Sequence, residues 1–180
     1  MRRCALSVGL AFVGVSVAFG ASAVQITQTS VAGARLGLHP SAYTRLFGKP
    51  VRKDVLRYPT NYTRLVFTKR KVAVIFPPNG RAIEITTWNK ADKTAKRIGP
   101  CSTIKQLKAV YGPKLKRSEP NTLNGKVYAY TVGKLIFGAA GRDPKPGPSK
   151  HVTGIALHSG PLNVAAFLAG QFETSALRCS

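Results

Sequence analysis

Few side chains in this chain could act as acids, bases, nucleophiles or metal ligands. Its 180 residues include six acidic residues, three histidines and three cysteines. The acidic residues stand apart from one another in the sequence, at Asp54, Glu84, Asp92, Glu119, Asp143 and Glu173. His151 and His158 fall on one expected strand and point to opposite faces of it, so they are not expected to share a metal. With no GxxxxGKS/T or GxGxxG phosphate loop in the chain, we expect no catalytic residue, no metal site and no cofactor.

Basic residues dominate the composition. The chain has 28 Lys and Arg against 6 Asp and Glu, a formal net charge of +22. A field of this sign attracts polyanions, so we predict an anionic polymer or an acidic protein surface as the partner, with nucleic acid possible but not specific. The alternative for any single cluster is a solvated, solubilising surface. The candidate binding residues are Lys69, Arg70, Lys71, Lys90, Lys93, Lys96 and Arg97, with Trp88 as an anchor.

Aromatic residues are interleaved with these basic groups, as at Arg57 and Tyr58. Such mixing would let bases or sugar rings stack while cations contact phosphates. The alternative is that aromatics such as Tyr128 and Tyr130 are ordinary sheet residues. Strand parity places Trp88 on the face opposite Ile85, where it is either exposed or covered by the C-terminal tail.

The N-terminus has the pattern of a secretory signal peptide. Arg2 and Arg3 precede an apolar stretch, and a small-x-small pattern ends at Ala23, where cleavage is expected. The apolar stretch is short for a membrane anchor. We expect residues 1–23 to be removed, leaving no transmembrane segment, and the mature protein to be a monomer that is secreted or located in the cell envelope.

Two cysteines would remain after removal of the leader, Cys101 and Cys179. In an exported protein, a lone pair most simply forms one disulfide. By chain-entropy estimates such a link contributes about 4 kcal/mol to stability. Two free thiols or half of a metal site are the alternatives, and the chain has no CxxC motif that would favour a metal.

One pattern occurs twice in the chain. The segment 46–50, Leu-Phe-Gly-Lys-Pro, is echoed at 110–114 by Val-Tyr-Gly-Pro-Lys. Each copy ends a helical stretch: Pro40 and Gly48 fit the start and stop of the first helix, and Thr103 and Gln106 fit a capping box at the start of the second. Alternating apolar runs after each copy predict antiparallel strands.

The fold is therefore predicted as α+β, with two tandem modules. Each module is a short helix followed by an antiparallel β-meander, and the helices pack on one face of the sheet. The expected boundaries are 24–97 for the first module and 98–160 for the second. The tail, 161–180, is expected to be tethered by the disulfide.

The repeated helix that closes in Leu-Gly-x-Pro before several strands resembles the β-lactamase-inhibitor-protein superfamily and the related SmpA/OmlA (BamE) outer-membrane assembly domains. The motif here is 46–50, preceded by 35–38 and repeated less closely around 98–99 and 111–113. The resemblance covers most of residues 33–159. It implies a non-enzymatic role in which a concave sheet or a helix surface is presented to a partner.

Three functions follow from these patterns, in order of preference. The first is an exported, non-catalytic protein of the cell envelope or extracellular space that binds an anionic partner. The second is a secreted inhibitor of an extracellular hydrolase with an acidic mouth. The third is a small hydrolase, which would require His151 or His158 to lie beside a carboxylate in a cleft.

Overall fold

The computed structural model describes residues 25–56, 61–118, 121–122, 125–140, 150–159 and 179. The expected leader, 1–23, and the expected tail, apart from Cys179, lie outside the described residues. Fold and site are therefore described for the central part of the chain, which contains both copies of the repeated pattern.

Two short helices form where the sequence predicts them. Helix α1 (Pro40–Phe47) has proline in its first turn, and the N–H of Gly48, at φ 86°, donates to the carbonyl of Thr44. Helix α2 (Ile104–Tyr111) begins with the expected capping box, in which the Thr103 hydroxyl accepts from the Gln106 N–H and the Gln106 side chain accepts from the Thr103 N–H. Both caps satisfy backbone groups that a helix end leaves without partners.

Strands make up most of the remaining described structure. They are β1 (Gln25–Ile26), β2 (Ser30–Val31), β3 (Ala34–Arg35), β4 (Arg52–Leu56), β5 (Tyr62–Phe67), β6 (Val72–Phe76), β7 (Glu84–Thr87), β8 (Lys93–Thr94), β9 (Lys116–Ser118), β10 (Asn121–Thr122), β11 (Gly125–Val132), β12 (Leu135–Ala140) and β13 (Gly154–His158).

The expected fold class, α+β with two tandem helix-plus-meander modules, is wrong. The protein is mostly β, with one nine-stranded sheet in the order β10-β11-β12-β13-β7-β6-β5-β4 and β9 paired to β11. The two runs of strands join because β13 pairs antiparallel with β7, Ile155 opposite Thr87 and His158 opposite Glu84. This pairing satisfies the backbone N–H and C=O groups that two separate meanders would leave at their edges.

One face of the sheet is covered by the two helices. Tyr43 of α1 and Leu107 of α2 are both fully buried in a single core cluster with Phe76, Ile85 and Phe137. The ring of Tyr43 meets Phe76 edge to face, with centroids 5.5 Å apart. Full burial of each such side chain contributes roughly 1.5 to 3 kcal/mol, so packing rather than helix propensity holds these eight-residue helices.

The opposite face of the sheet mixes apolar and charged side chains. All five residues of β6 are buried, as expected for a strand covered on both sides. Its Ile75 lies between Arg64 and Glu84 in the neighbouring strands, and both of those charged residues are also buried. Glu84 in turn lies opposite His158, so one row across the sheet places polar groups where burial is costly unless they are paired.

Candidate functional site

The turn between β5 and β6 presents three consecutive cations. Residues 68–71 form the turn, in which the N–H of Arg70 donates to the carbonyl of Phe67 and that of Lys71 to the carbonyl of Thr68, both at 3.1 Å. Lys69, Arg70 and Lys71 are all exposed. Lys71 has a φ of 56°, a left-handed conformation in which glycine is the usual residue. The turn therefore keeps a cation at a position where backbone geometry favours a residue with no side chain.

The loop after β7 is bonded directly to this turn. The N–H of Trp88 donates to the carbonyl of Lys71 at 3.0 Å. Next along the chain, the N–H of Asp92 donates to the carbonyl of Asn89, and the side chain of Asn89 accepts from the N–H of Ala91. These bonds hold the exposed Lys90 at the tip of a compact turn beside the first three cations.

A buried carboxylate lies beneath these cations. Asp92 is 2% exposed and accepts a hydrogen bond from the Thr87 hydroxyl at 2.5 Å. Burial raises the pKa of Asp92 above its ordinary value, and the Thr87 hydrogen bond and the positive charges of Arg70 and Lys93 oppose that rise without cancelling it. The Asp92 side chain is therefore buried, and its hydrogen bond to Thr87 joins the loop to β7.

Lys93 is bonded to the backbone of its own loop. It is half-buried, and its ammonium group donates to the carbonyl of Pro100 at 3.0 Å. Burial lowers the pKa of Lys93, and the neighbouring Asp92 carboxylate opposes that shift. Gly99 is required here because a Cβ atom at that position would collide with the backbone carbonyl of Asp92 and the side chain of Lys93.

We name the group Lys69, Arg70, Lys71, Lys90 and Lys93 the basic end. Hydrogen bonds and electrostatic contacts bring these five of the seven sequence-predicted cations together around Thr87 and Asp92. The remaining two are arranged differently. Lys96 donates to the carbonyl of Val110 at 3.4 Å and lies over the ring of Tyr111. There its positive charge interacts favourably with the negative end of the α2 dipole.

Arg97, the last of the predicted cations, is exposed at the end of the loop. Its φ is 61°, and its N–H donates to the carbonyl of Thr94 at 2.8 Å. Like Lys71, it is a cation in a left-handed turn position. No contact given by the structure joins Arg97 to the basic end.

Trp88 is packed into the molecule. It is 9% exposed and forms a small cluster with Val66 and Ala73 on the face of the sheet opposite the helices. Strand parity placed it on that face correctly. As an anchor it would have little ring surface to offer a ligand, and its backbone, bonded to Lys71, is what links it to the basic end.

The sequence did not indicate Thr87 and Asp92 as residues of this site. The signal that could have indicated them is local: a Thr at the end of a strand followed five residues later by an isolated Asp in a Lys-rich stretch. A lone carboxylate among cations is expected to be held by them, and a strand-end hydroxyl is a suitable second donor.

A second polar group lies away from the basic end. The Nδ1 atom of His158 is 3.1 Å from Oε2 of Glu84, and the Thr86 hydroxyl donates to Oε1 of Glu84 at 2.9 Å. His158 is 3% exposed and Glu84 is 0% exposed. The sequence placed these residues far apart and gave no sign of the pair, which forms only because β13 pairs with β7. His151, by contrast, lies outside the strand in a single bridge to Thr103.

The sulfur atoms of Cys101 and Cys179 lie at disulfide-bond distance, 2.04 Å, which confirms the expected pairing. Cys101 follows the loop that contains Lys90 and Lys93, and its N–H donates to the carbonyl of Val152. Such a pair is consistent with an extracytoplasmic protein.

Within the described ranges, no helix has the length and apolarity needed to cross a membrane. Among the same residues, no three His, Cys, Asp or Glu side chains are grouped as a metal would require. No family model, curated protein or solved structure matches this chain. The resemblance to the β-lactamase-inhibitor-protein and BamE superfamilies therefore stays a prediction.

Proposed function

We propose that this is an exported, non-catalytic protein that binds an anionic polymer at its basic end. The observation that supports this most strongly is that hydrogen bonds of Lys71, Trp88, Thr87 and Asp92 couple the turn 68–71 to the loop that contains Lys90 and Lys93. A coupled turn and loop hold several cations in fixed relative positions. Such preorganisation lowers the cost of ordering side chains when a polyanion binds.

Little negative charge offsets the cations of the basic end at the described surface, because Asp92, which interacts with Arg70 and Lys93, is buried. Asp54 is engaged by Arg52 and Arg64, and Glu84 and Asp92 are buried. Among the described residues, no carboxylate is within ion-pair distance of Lys69, Arg70, Lys71 or Lys90. Their mutual repulsion is relieved by an incoming polyanion, which makes the basic end a site of favourable association.

Recognition would depend on charge rather than on stacking. The aromatic rings near the basic residues are used internally, since Trp88 is buried, Tyr111 lies beneath Lys96 and Tyr128 beneath Arg117. A polymer with regularly spaced negative charges fits this arrangement better than a single-stranded nucleic acid that is bound by stacking of its bases on aromatic rings. The proposal therefore concerns a polyanion as a class, with little preference for base sequence.

Export and location in the cell envelope remain part of the proposal. The leader pattern of residues 1–23 and the Cys101–Cys179 pair both support it. An envelope or extracellular location would place the basic end among anionic wall polymers and lipid headgroups, which are polyanions of the kind that the site would attract.

Titration with fluorescently labelled polyphosphate at low and moderate salt tests the proposal. A variant with Lys69→Gln, Arg70→Gln and Lys71→Gln should bind at least about tenfold more weakly than wild type at low salt. The matched control carries Lys114→Gln, Lys116→Gln and Lys134→Gln, which removes the same charge from exposed residues elsewhere. Equal affinity of the two variants for polyphosphate would contradict the basic end as the binding site. Affinity for one protein partner that persists at high salt would instead favour a secreted inhibitor of a hydrolase.

Two of the control residues, Lys116 and Lys134, belong to a different part of the sheet from the basic end. Lys116 lies opposite Thr131 near the end of β11, and the carbonyl of Lys134 accepts from the N–H of His158 at the end of β13. Thr87, beneath the basic end, lies opposite Ile155 near the start of β13. The comparison therefore separates the effect of position from the effect of net charge.

A small hydrolase is a second candidate because of one observation. A carboxylate that holds an imidazole by its Nδ1 atom is the arrangement that orients catalytic histidines, and Glu84 holds His158 in this way. Both side chains are buried, which favours a structural role. Hydrolysis of simple esters by the wild type, lost in His158→Gln, would support the hydrolase; equal rates in the two proteins would favour binding.

A further inference from the structure

Strand β4 is the edge strand at one end of the nine-stranded sheet. Among the described residues, it pairs with β5 and with no other strand. Every second residue of such a strand directs its backbone N–H and C=O away from the sheet. The outer edge of β4 is therefore able to accept a further strand.

Large apolar side chains are exposed beside this edge. Val51 is 59% exposed, Val55 is 57% exposed and Leu46, at the end of α1, is 45% exposed. Leu38 is the only other large apolar residue with comparable exposure among those described. Exposed apolar groups that occur singly need no explanation. A group within the stretch 46–55, where the outer edge of β4 has no partner among the described residues, is typical of an interaction surface.

The charge of the edge selects the kind of strand that it can accept. Lys49, Arg52 and Lys53 are exposed, and Lys53 and Val55 lie on the same face of β4, opposite Leu65 and Thr63. Asp54, the acidic residue of the strand, is already bonded to Arg52 and Arg64. A second copy of this strand would bring cations together, and a lysine in an edge strand is a known means of preventing self-association.

We propose that the outer edge of β4 binds an extended acidic segment of a partner protein by strand addition. Backbone hydrogen bonds to β4 supply affinity, valine or isoleucine side chains of the segment cover Val51 and Val55, and glutamate or aspartate side chains pair with Lys53. Val51, Lys53 and Val55 are not among the residues of the basic end, so a partner protein and a polyanion would use different side chains.

A synthetic extended peptide about eight residues long, alternating threonine with valine and glutamate, tests the proposal. Binding should slow hydrogen exchange of the β4 amides. Methylation of alternate peptide nitrogens, which removes donors and retains charge, should weaken binding by at least about tenfold. Lys53→Glu should weaken it by a similar factor, and the control Lys134→Glu should change it by less than about twofold.

Two results would overturn the proposal. If the methylated peptide binds as well as its parent, the association is electrostatic and no strand is added. If the protein alone forms dimers by sedimentation, and Val55→Lys abolishes them, the edge belongs to a second copy of the chain. If the wild-type protein binds polyphosphate but does not bind the parent peptide, this inference alone is refuted and the proposed function stands.

Discussion

The Thr87 hydroxyl donates a hydrogen bond to the Asp92 carboxylate at 2.5 Å, and the same hydroxyl accepts from the N–H of Asn89 at 3.2 Å. Thr87 is the last residue of β7, and Asp92 follows it in the Lys-rich loop. One hydroxyl thus fixes the loop to the sheet directly beside Lys71, whose carbonyl is 3.3 Å away. The order of the basic end depends on this contact.

Replacement of Thr87 by valine should release the loop. The change keeps the branched shape but leaves the buried Asp92 carboxylate without its donor, which should lower the free energy of unfolding by about 1 to 3 kcal/mol. Polyphosphate affinity should fall as well, although no cation is removed. Chemical denaturation and the binding titration measure the two effects. Thr63→Val, on the partly exposed side of β5, is the control, and an effect of equal size there would refute the role of Thr87.

Stability should depend on pH through Asp92. Its pKa is raised by burial in the folded protein, so the folded state binds more protons than the unfolded state between 3.8 and the folded pKa. The free-energy contribution of this group to folding therefore becomes less favourable as pH rises through that window. In Asp92→Asn this contribution is absent. As pH rises through the window, the free energy of unfolding of the variant should therefore increase relative to that of the wild type.

Asp54 contributes a pH dependence of opposite sign. Burial would raise its pKa, but the hydrogen bonds and charges of Arg64 and Arg52 outweigh burial and hold the pKa below 3.8. Its stabilisation is present above the unfolded pKa and is lost as pH falls through the folded pKa. Because Asp54 is unchanged in Asp92→Asn, its contribution cancels from the difference. Equal pH profiles for the two proteins would contradict the prediction for Asp92.

A substitution at Lys71 should change the stability of the protein and its polyphosphate affinity in opposite directions. Lys71→Gly relieves the positive φ of 56° and should raise the free energy of unfolding by about 1 kcal/mol. It should also weaken polyphosphate binding, since one cation of the basic end is lost. Lys69→Gly removes an equivalent charge from the same turn at an ordinary φ and should not stabilise. Thermal unfolding and titration of both variants test this, and a Lys71→Gly protein that binds like wild type would exclude Lys71 from the site.

The buried pair of His158 and Glu84 should matter for folding and not for polyanion binding. His158→Ala leaves the Glu84 carboxylate without that partner in the interior, which should cost about 3 to 5 kcal/mol. The control is His39→Ala, an exposed residue with no side-chain bond to the helix that it precedes, where the expected change is within about 0.5 kcal/mol. Denaturant unfolding measures both, and a small cost at His158 would show that the pair is unimportant for stability.

The disulfide should contribute substantially to stability. Cys101 and Cys179 are separated by 78 residues, and a link across such a loop stabilises by about 4 kcal/mol according to chain-entropy estimates. The variant Cys101→Ser with Cys179→Ser should lose roughly that amount. The wild type under reducing conditions should behave in the same way, and no loss in either case would contradict the prediction.

Local features of the fold could be predicted from the sequence. Pro40, Gly48, Thr103 and Gln106 have capping chemistry that acts over a few residues, so the positions of both helices followed from it. The lone cysteine pair likewise left one simple pairing. Each of these predictions rests on short-range geometry or on elimination.

Features that depend on strand pairing were not predictable in the same way. The pairing of Ile155 with Thr87 joins the two strand runs into one sheet, and nothing near either residue indicates that partner. The same pairing brings His158 to Glu84. For the candidate site, the sequence suggested seven cations, of which the structure brings five together, and it did not indicate that Asp92 and Thr87 lie beneath them.

The salt dependence of binding to double-stranded DNA of random sequence tests the central claim most directly. The slope of log Kobs against log salt reports the number of phosphates neutralised, at about 0.9 per phosphate. The Lys69, Arg70 and Lys71 triple glutamine variant should have a slope smaller in magnitude than that of wild type by about 2 to 3. The Lys114, Lys116 and Lys134 triple variant should differ from wild type by less than about 1. Equal slopes in the two variants would show that binding reflects net charge alone and would contradict a dedicated basic end.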